Sequence, residues 1–191
     1  MSYRGIGRLF ALIAAVVAGL WLALSIRNGP QFFAFSATYA GLAAMAALMV
    51  LSLGALFGPR VPWPMVSGAA VVWSLSAAGF FADRIETVLP LPPGPALILT
   101  AGLPGAVTLY WLLFVPKGAL RWWTLGPALL LPALWIGWQV HIGAPNVPLL
   151  DLAHRGAKDV AIEAAALLAL TALIWLALRL LDRLFRPLDM A

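Results

Sequence analysis

The chain has 191 residues, of which 63% are hydrophobic and 10% are charged, and it carries a formal net charge of +5. Soluble domains contain about 25% charged residues, so this composition excludes a water-soluble globular protein and predicts one that is embedded in a lipid bilayer. The sequence has no cysteine, which excludes disulfides, thiolate metal sites and cysteine nucleophiles.

Six apolar runs are long enough to cross the hydrocarbon core of a membrane, which takes about 20 helical residues. Segments rich in glycine and proline separate most of them. Because lipid offers no hydrogen bonds to the backbone, and because the runs are continuous rather than alternating, we predict helices and not a barrel. The predicted fold is all-α, one polytopic domain over residues 1–191. Its six transmembrane helices cover residues 7–26, 31–57, 64–82, 94–115, 122–142 and 158–181.

Basic residues fall unevenly on the two sides of this predicted topology. Eight of the twelve lie on the side of both termini, while most acidic residues lie on the other side. The positive-inside rule therefore predicts cytoplasmic termini in a bacterial inner membrane. The net charge is then a property of topology, and no nucleic-acid partner is predicted. The eight basic residues are Arg4, Arg8, Arg60, Lys117, Arg121, Arg179, Arg183 and Arg186.

The predicted spans contain almost no ionisable side chains. Glu163, about one turn into the sixth run, is near a helix N-terminus, where the macrodipole favours a carboxylate. Proton relays and ion-coupled transporters keep charged residues at membrane depth, so this pattern argues against a transporter. Pro104 and Pro132 lie mid-run and predict kinks in the fourth and fifth helices. Aromatic residues near the span ends predict interfacial anchors: Tyr3, Trp63, Trp111, Trp122, Trp123 and Trp138.

Few side chains in the sequence suggest chemistry. His141 and His154, together with Asp151, match no zinc-site spacing, so we predict neither a metal nor a cofactor. A serine or threonine nucleophile needs a nearby base. The candidates for such a pair are Ser36 or Thr38 with His141.

Three stretches resemble one family in the same order along the chain. They are residues 31–35, residues 97–114 with Pro104, and residues 148–152 followed by a long last helix. Together they resemble the bacterial relatives of the androgen-induced-gene family of six-helix membrane proteins. Animal members hydrolyse fatty-acid esters of hydroxy fatty acids with a threonine in the second helix and a histidine in the fourth. The resemblance places Ala37 and Thr100 at those two positions, so the catalytic pair of the family is not retained.

These observations favour a protein that works by binding. We predict a non-catalytic membrane protein that binds a lipid or another apolar ligand, or that serves as an accessory subunit of a larger membrane complex. The bilayer, a bound lipid and other membrane subunits are the expected partners. The alternatives are an intramembrane lipid ester hydrolase that uses Thr38 or Ser36, and a small transporter.

Overall fold

The computed structural model describes residues 3–27, 38–58, 63–81, 94, 97–142, 150 and 152–185. Helices make up nearly all of these residues, and no strand occurs among them. The helices are α1 (Tyr3–Ile26), α2 (Tyr39–Phe57), α3 (Trp63–Phe81), α4 (Leu103–Phe114), α5 (Leu125–His141), the short α6 (Leu152–Arg155) and α7 (Ala157–Leu184). A π-helical turn, Ile98–Gly102, leads into α4, and a 3-10 turn, Trp122–Thr124, leads into α5.

Within the described residues, four helices are long and apolar enough to cross a membrane: α1, α2, α3 and α7. The π turn and α4 together form a shorter apolar helix, Ile98–Phe114. The prediction of an all-helical chain is confirmed, and the apolar helices are those expected of a membrane protein.

Helix α3 lies at the centre of the bundle and contacts α2, α4, α5 and α7. Small side chains on α2, Ala43, Ala44 and Ala47, are almost completely buried and allow the helices to approach closely. The Tyr39 hydroxyl on α2 lies 2.7 Å from the Ser76 hydroxyl on α3. This hydrogen bond joins the two helices inside the buried core, where an unpaired hydroxyl would be unfavourable.

The second helix begins later than its apolar run suggests. Thr38 has an extended backbone, and its side-chain oxygen accepts a hydrogen bond of 3.0 Å from the Gly41 amide. Thr38 is thus an N-cap, and α2 begins at Tyr39. The first part of the predicted run, residues 31–37, lies outside the described residues.

Pro104 is the second residue of α4 and lies two positions after the end of the π turn, Gly102. A proline has no amide hydrogen, and its ring clashes with the carbonyl four residues earlier. The backbone widens just before it, so that the Leu103 amide donates to the Ile98 carbonyl, five residues back. The predicted disturbance of the fourth helix is therefore a π turn, which accommodates the proline.

Helix α5 continues through Pro132. Because Pro132 has no amide hydrogen, the Ala128 carbonyl four residues earlier receives no helical hydrogen bond from it. The Trp73 indole of α3 donates to this carbonyl at 2.8 Å. The proline thus leaves an acceptor through which α3 and α5 are joined.

Candidate functional site

Six of the nine basic residues in the described part of the chain gather at one end of the bundle. Contacts there join the start of α1 to the end of α4, through a hydrogen bond from the Tyr3 hydroxyl to the Leu113 carbonyl. The Trp63 indole at the start of α3 donates to the Tyr110 hydroxyl of α4 at 3.2 Å. We call this the basic end; its described basic residues are Arg4, Arg8, Lys117, Arg121, Arg179 and Arg183. Arg60 and Arg186 lie outside the described residues.

The loop between α4 and α5 folds back over the end of α4 at the basic end. The Lys117 ammonium lies 4.2 Å from the centre of the Trp111 ring and donates to the Trp111 and Val115 carbonyls. The Trp111 carbonyl also accepts a hydrogen bond of 3.3 Å from the Val115 amide, whereas the Val115 carbonyl belongs to the cap of α4, beyond the helical hydrogen bonds. Trp111, predicted as an interfacial anchor, is instead buried beneath the lysine.

The partly buried position of the Lys117 ammonium changes its pKa. Partial burial lowers its pKa from 10.5 to about 8, although the negative charge of Asp182 opposes the shift. The folded chain therefore binds fewer protons at Lys117 than the unfolded chain between about pH 8 and 10.5. In that window the contribution of Lys117 makes folding more favourable as pH rises.

Arg179 lies near the end of α7, on the same side of the bundle. Its guanidinium carbon is 3.7 Å from the centre of the Trp122 ring and 5.6 Å from that of Trp175. The side chain is only 5% exposed, and its Nε has no hydrogen-bond partner. No ion pair to Arg179 is found within the described residues. A stacked guanidinium of this kind keeps its N–H donors in its own plane and available to an acceptor.

Asp182 attaches the α4–α5 loop to the last helix. One carboxylate oxygen accepts a hydrogen bond of 3.0 Å from the Leu120 amide, whereas the other, Oδ1, is buried without a partner. Asp182 is 1% exposed, so its charge lies in a region of low dielectric. The basic end therefore contains two buried side chains of opposite charge, Arg179 and Asp182, each with an unpaired polar atom.

An apolar cavity of about 250 Å³ begins beside this cluster, between α3, α5 and α7. Leu120 and Trp175 belong both to its wall and to the surroundings of the buried charges. The Trp175 indole donates to the Thr124 hydroxyl at 3.1 Å, which satisfies two polar groups of the wall. We call this cavity the Trp73 groove; it is lined by Met65, Val66, Ala69, Trp73, Leu120, Thr124, Pro127, Ala128 and Trp175.

A larger cavity, about 460 Å³, lies between α1 and α4. Its wall includes Phe10, Ala14, Ile98 and Ala106, and no charged or hydroxyl side chain of the described residues lines it. A groove with only apolar walls cannot orient a ligand, since orientation requires polar groups at defined positions. For this reason we assign the candidate site to the smaller Trp73 groove.

The residues that the sequence analysis singled out are placed as follows. The Thr38 hydroxyl is buried and caps α2, while His141 is exposed at the last residue of α5. No hydrogen bond joins the two in the part of the chain that the structure describes. Ser36 and Ala37 lie outside the described residues, so the predicted serine alternative and the alanine at the family's threonine position have no structural description.

Thr100 is buried in the π turn that precedes α4. It faces a gap of about 10 Å³ that is walled by alanines of α2 and α3, among them Ala40 and Ala77. One water needs roughly 10–15 Å³, so the gap at Thr100 has no room for an ester. The structure thus packs this position closely and forms no substrate cavity there.

Glu163, the acidic residue inside the sixth run, lies at the opposite end of α7. Its carboxylate is 3.6 Å from the Arg155 guanidinium, and both side chains are partly exposed. Such an ion pair contributes at most about 1 kcal/mol. Glu163 is therefore a pairing residue at the edge of the bundle.

Sequence reasoning missed the site because it counted Arg179, like the other basic residues, only as a marker of topology. It treated Trp122 as an interfacial anchor for the same reason. A signal was present: Trp175, Arg179 and Asp182 follow one another at spacings of four and three residues, which places them on one helical face. When charged residues share a helical face with an aromatic residue in an otherwise apolar helix, a buried cluster is indicated.

Comparison of the chain with protein-family models, with curated proteins and with solved structures finds no match. The resemblance to the androgen-induced-gene family stays a prediction from the residues quoted above.

Proposed function

We propose that the chain is a six-helix integral membrane protein that binds the acyl chain of a lipid in the Trp73 groove and catalyses no reaction. The observation that carries the proposal is the groove itself, an apolar cavity in which two wall residues, Leu120 and Trp175, contact the buried Asp182 and Arg179 at one end. Pockets for small molecules commonly combine apolar walls with a few polar groups, and their volumes begin at about 300 Å³. The Trp73 groove has this combination and nearly this volume.

The packing around Thr100 supports a binding function over hydrolysis. An ester hydrolase needs space for its substrate beside the nucleophile, with a base within hydrogen-bond reach. The gap of about 10 Å³ at Thr100, which stands at the histidine position of the resemblance, has no room for an ester, and the Thr38 hydroxyl is engaged in capping α2. We therefore assign no hydrolytic step to the chain.

Filling the groove is expected to displace the lipid. Ala69→Phe adds a ring to the groove wall and is expected to lower lipid affinity by at least about tenfold, or about 1.4 kcal/mol. Native mass spectrometry of the chain, extracted from its own membrane in mild detergent, measures the fraction that retains a lipid-sized adduct.

The matched control is Ala106→Phe, which fills the cavity between α1 and α4 and should leave retention unchanged. Unchanged retention in Ala69→Phe, or a loss confined to Ala106→Phe, would contradict the proposal. Co-purifying protein subunits in place of a lipid would favour the role of an accessory subunit.

The proposal includes an orientation, with the basic end and both termini on the cytoplasmic side of a bacterial inner membrane. The chain has two lysines, Lys117 at the basic end and Lys158 near the start of α7. A membrane-impermeant amine reagent applied to intact spheroplasts should modify the exposed Lys158 and spare Lys117. In inverted vesicles it should modify Lys117, and peptide mapping distinguishes the two.

In the inverted vesicles the rate of Lys117 labelling should rise with pH to a midpoint of about 8, because only the neutral amine reacts. Asp182→Asn should move this midpoint lower, since the carboxylate favours the charged amine. Labelling of Lys117 from the outer face of spheroplasts would reverse the orientation. A midpoint near 10.5 would mean that Lys117 is not buried as described.

A further inference from the structure

We propose that the lipid in the Trp73 groove is a glycerophospholipid with an anionic headgroup, and that Arg179 donates to its phosphate. This inference rests on the proposed lipid binding and adds the chemical class of the ligand. Three observations carry it: the buried Nε of Arg179 that lacks a hydrogen-bond partner, the excess of cations at the basic end, and the continuity between this cluster and the groove.

Arg179 is held in place without an acceptor. Trp122 covers one face of the guanidinium at 3.7 Å, and the side chain is 95% enclosed by the bundle. Buried cations in proteins are ordinarily paired, because an unpaired charge in a low-dielectric region is unfavourable. Among the described residues, no carboxylate or carbonyl accepts a hydrogen bond from Arg179. A phosphate oxygen supplies both the negative charge and the acceptor that this arrangement lacks, and a planar guanidinium fits it well.

The surrounding charges favour an anion. Arg121, next to Trp122 in sequence, and Arg183, one turn after Arg179, are both exposed. Lys117 adds a third cation, although two main-chain carbonyls already accept hydrogen bonds from its ammonium. Among the described residues of the basic end, one carboxylate, that of Asp182, opposes the charge of these three cations and of Arg179. The cation of a zwitterionic headgroup would meet net positive charge here, whereas an anionic headgroup would not.

The groove distinguishes a lipid from free phosphate. Its wall joins the cluster at Leu120 and Trp175: the Leu120 amide donates to Asp182, and the Trp175 ring lies beside Arg179. A molecule with a phosphate near Arg179 can therefore extend its apolar part along Trp73 and Ala128 into the bundle. A phospholipid has both parts, and basic residues at membrane surfaces attract its anionic forms.

The test compares two lipids with identical acyl chains. Purified, delipidated full-length chain in mild detergent is titrated with phosphatidylglycerol and with phosphatidylcholine, and native mass spectrometry gives the affinity for each. We expect phosphatidylglycerol to bind about tenfold more tightly, because the choline cation of phosphatidylcholine meets the cations of the basic end. Arg179→Gln should weaken the binding of both lipids, since both have a phosphate, and it should remove most of the preference for phosphatidylglycerol. Arg179→Lys, which keeps the charge, should retain part of it.

The matched control is Arg183→Gln, which removes the same charge from an exposed position one turn away and should keep most of the preference. Equal loss in Arg183→Gln and Arg179→Gln would overturn the inference, since general surface charge would then explain it. If the chain bound the two lipids with equal affinity, and Ala69→Phe bound neither, the inference about the headgroup would be overturned. The proposed binding of a lipid in the Trp73 groove would still stand. Binding of neither lipid would overturn the proposed function itself.

Two further measurements keep the inference testable. Glycerol 3-phosphate, which has the phosphate without the chains, should not displace phosphatidylglycerol; displacement at matched concentration would overturn the assignment to a lipid. If Arg179→Gln fails to fold, as judged by circular dichroism, the preference of the unaltered chain and of Arg179→Lys decides the matter. No preference in either would be a refutation.

Discussion

Replacing Asp182 with alanine is expected to lower the free energy of unfolding by about 2–3 kcal/mol. The change removes the carboxylate oxygen that accepts a hydrogen bond from the Leu120 amide, and it leaves this amide buried beside the groove. It also removes the carboxylate that favours the charged form of Lys117. Unfolding by a denaturing detergent in mixed micelles, followed by circular dichroism, measures the loss.

Asp182→Asn is the matched control because its amide oxygen still accepts from Leu120. We expect this variant to lose about 1 kcal/mol or less, since it replaces a buried charge with a neutral group. Equal losses in the two variants would mean that charge, and not the hydrogen bond to the loop, determines the contribution of Asp182.

Replacing Gly54 with leucine is expected to lower the free energy of unfolding by about 2–3 kcal/mol, because it overpacks the contact between α2 and α4. A β-carbon at Gly54 would meet the Tyr110 hydroxyl and lie 2.8 Å from Cζ of the Tyr110 ring and 3.2 Å from the Trp63 ring. Tyr110 is 1% exposed, so it has little space into which to move. The new side chain would also disturb the hydrogen bond from Trp63 to Tyr110.

Gly105→Leu is the control for this prediction, since no atom lies within 4 Å of a β-carbon at that position. Leucine has a higher helix propensity than glycine, so we expect this variant to gain up to about 1 kcal/mol. The same denaturation assay measures both variants. A loss in Gly105→Leu as large as that in Gly54→Leu would show that packing against Tyr110 is not the cause.

Much of the fold follows from the sequence because apolar runs in a membrane protein have one available structure. Continuous runs such as 7–26 and 158–181 match α1 and α7 to within a few residues. Helix ends are less predictable, since they depend on single side chains. Thr38 lies inside the predicted run 31–57 and caps the start of α2, and composition alone does not distinguish this threonine from one inside a helix.

The candidate site was harder to predict, because it joins residues that are far apart in sequence. Leu120 and Asp182 are separated by 62 positions, and Trp122 meets Arg179 across a similar distance. The pattern of apolar residues predicts which segments form helices, but it does not predict which faces of two helices contact each other. The concentration of positive charge at one end was nevertheless predictable, since the sequence places most basic residues on the side of the two termini.

Pro132 has a meaning beyond its effect on α5. A buried carbonyl without a hydrogen-bond donor is unfavourable, so a proline inside a packed helix leaves an acceptor that a neighbouring side chain must satisfy. At the buried Ala128 of α5, the Trp73 indole of α3 supplies this donor. The proline therefore helps to determine which helix packs against α5, and also the rotation and the position along the axis at which α3 and α5 meet.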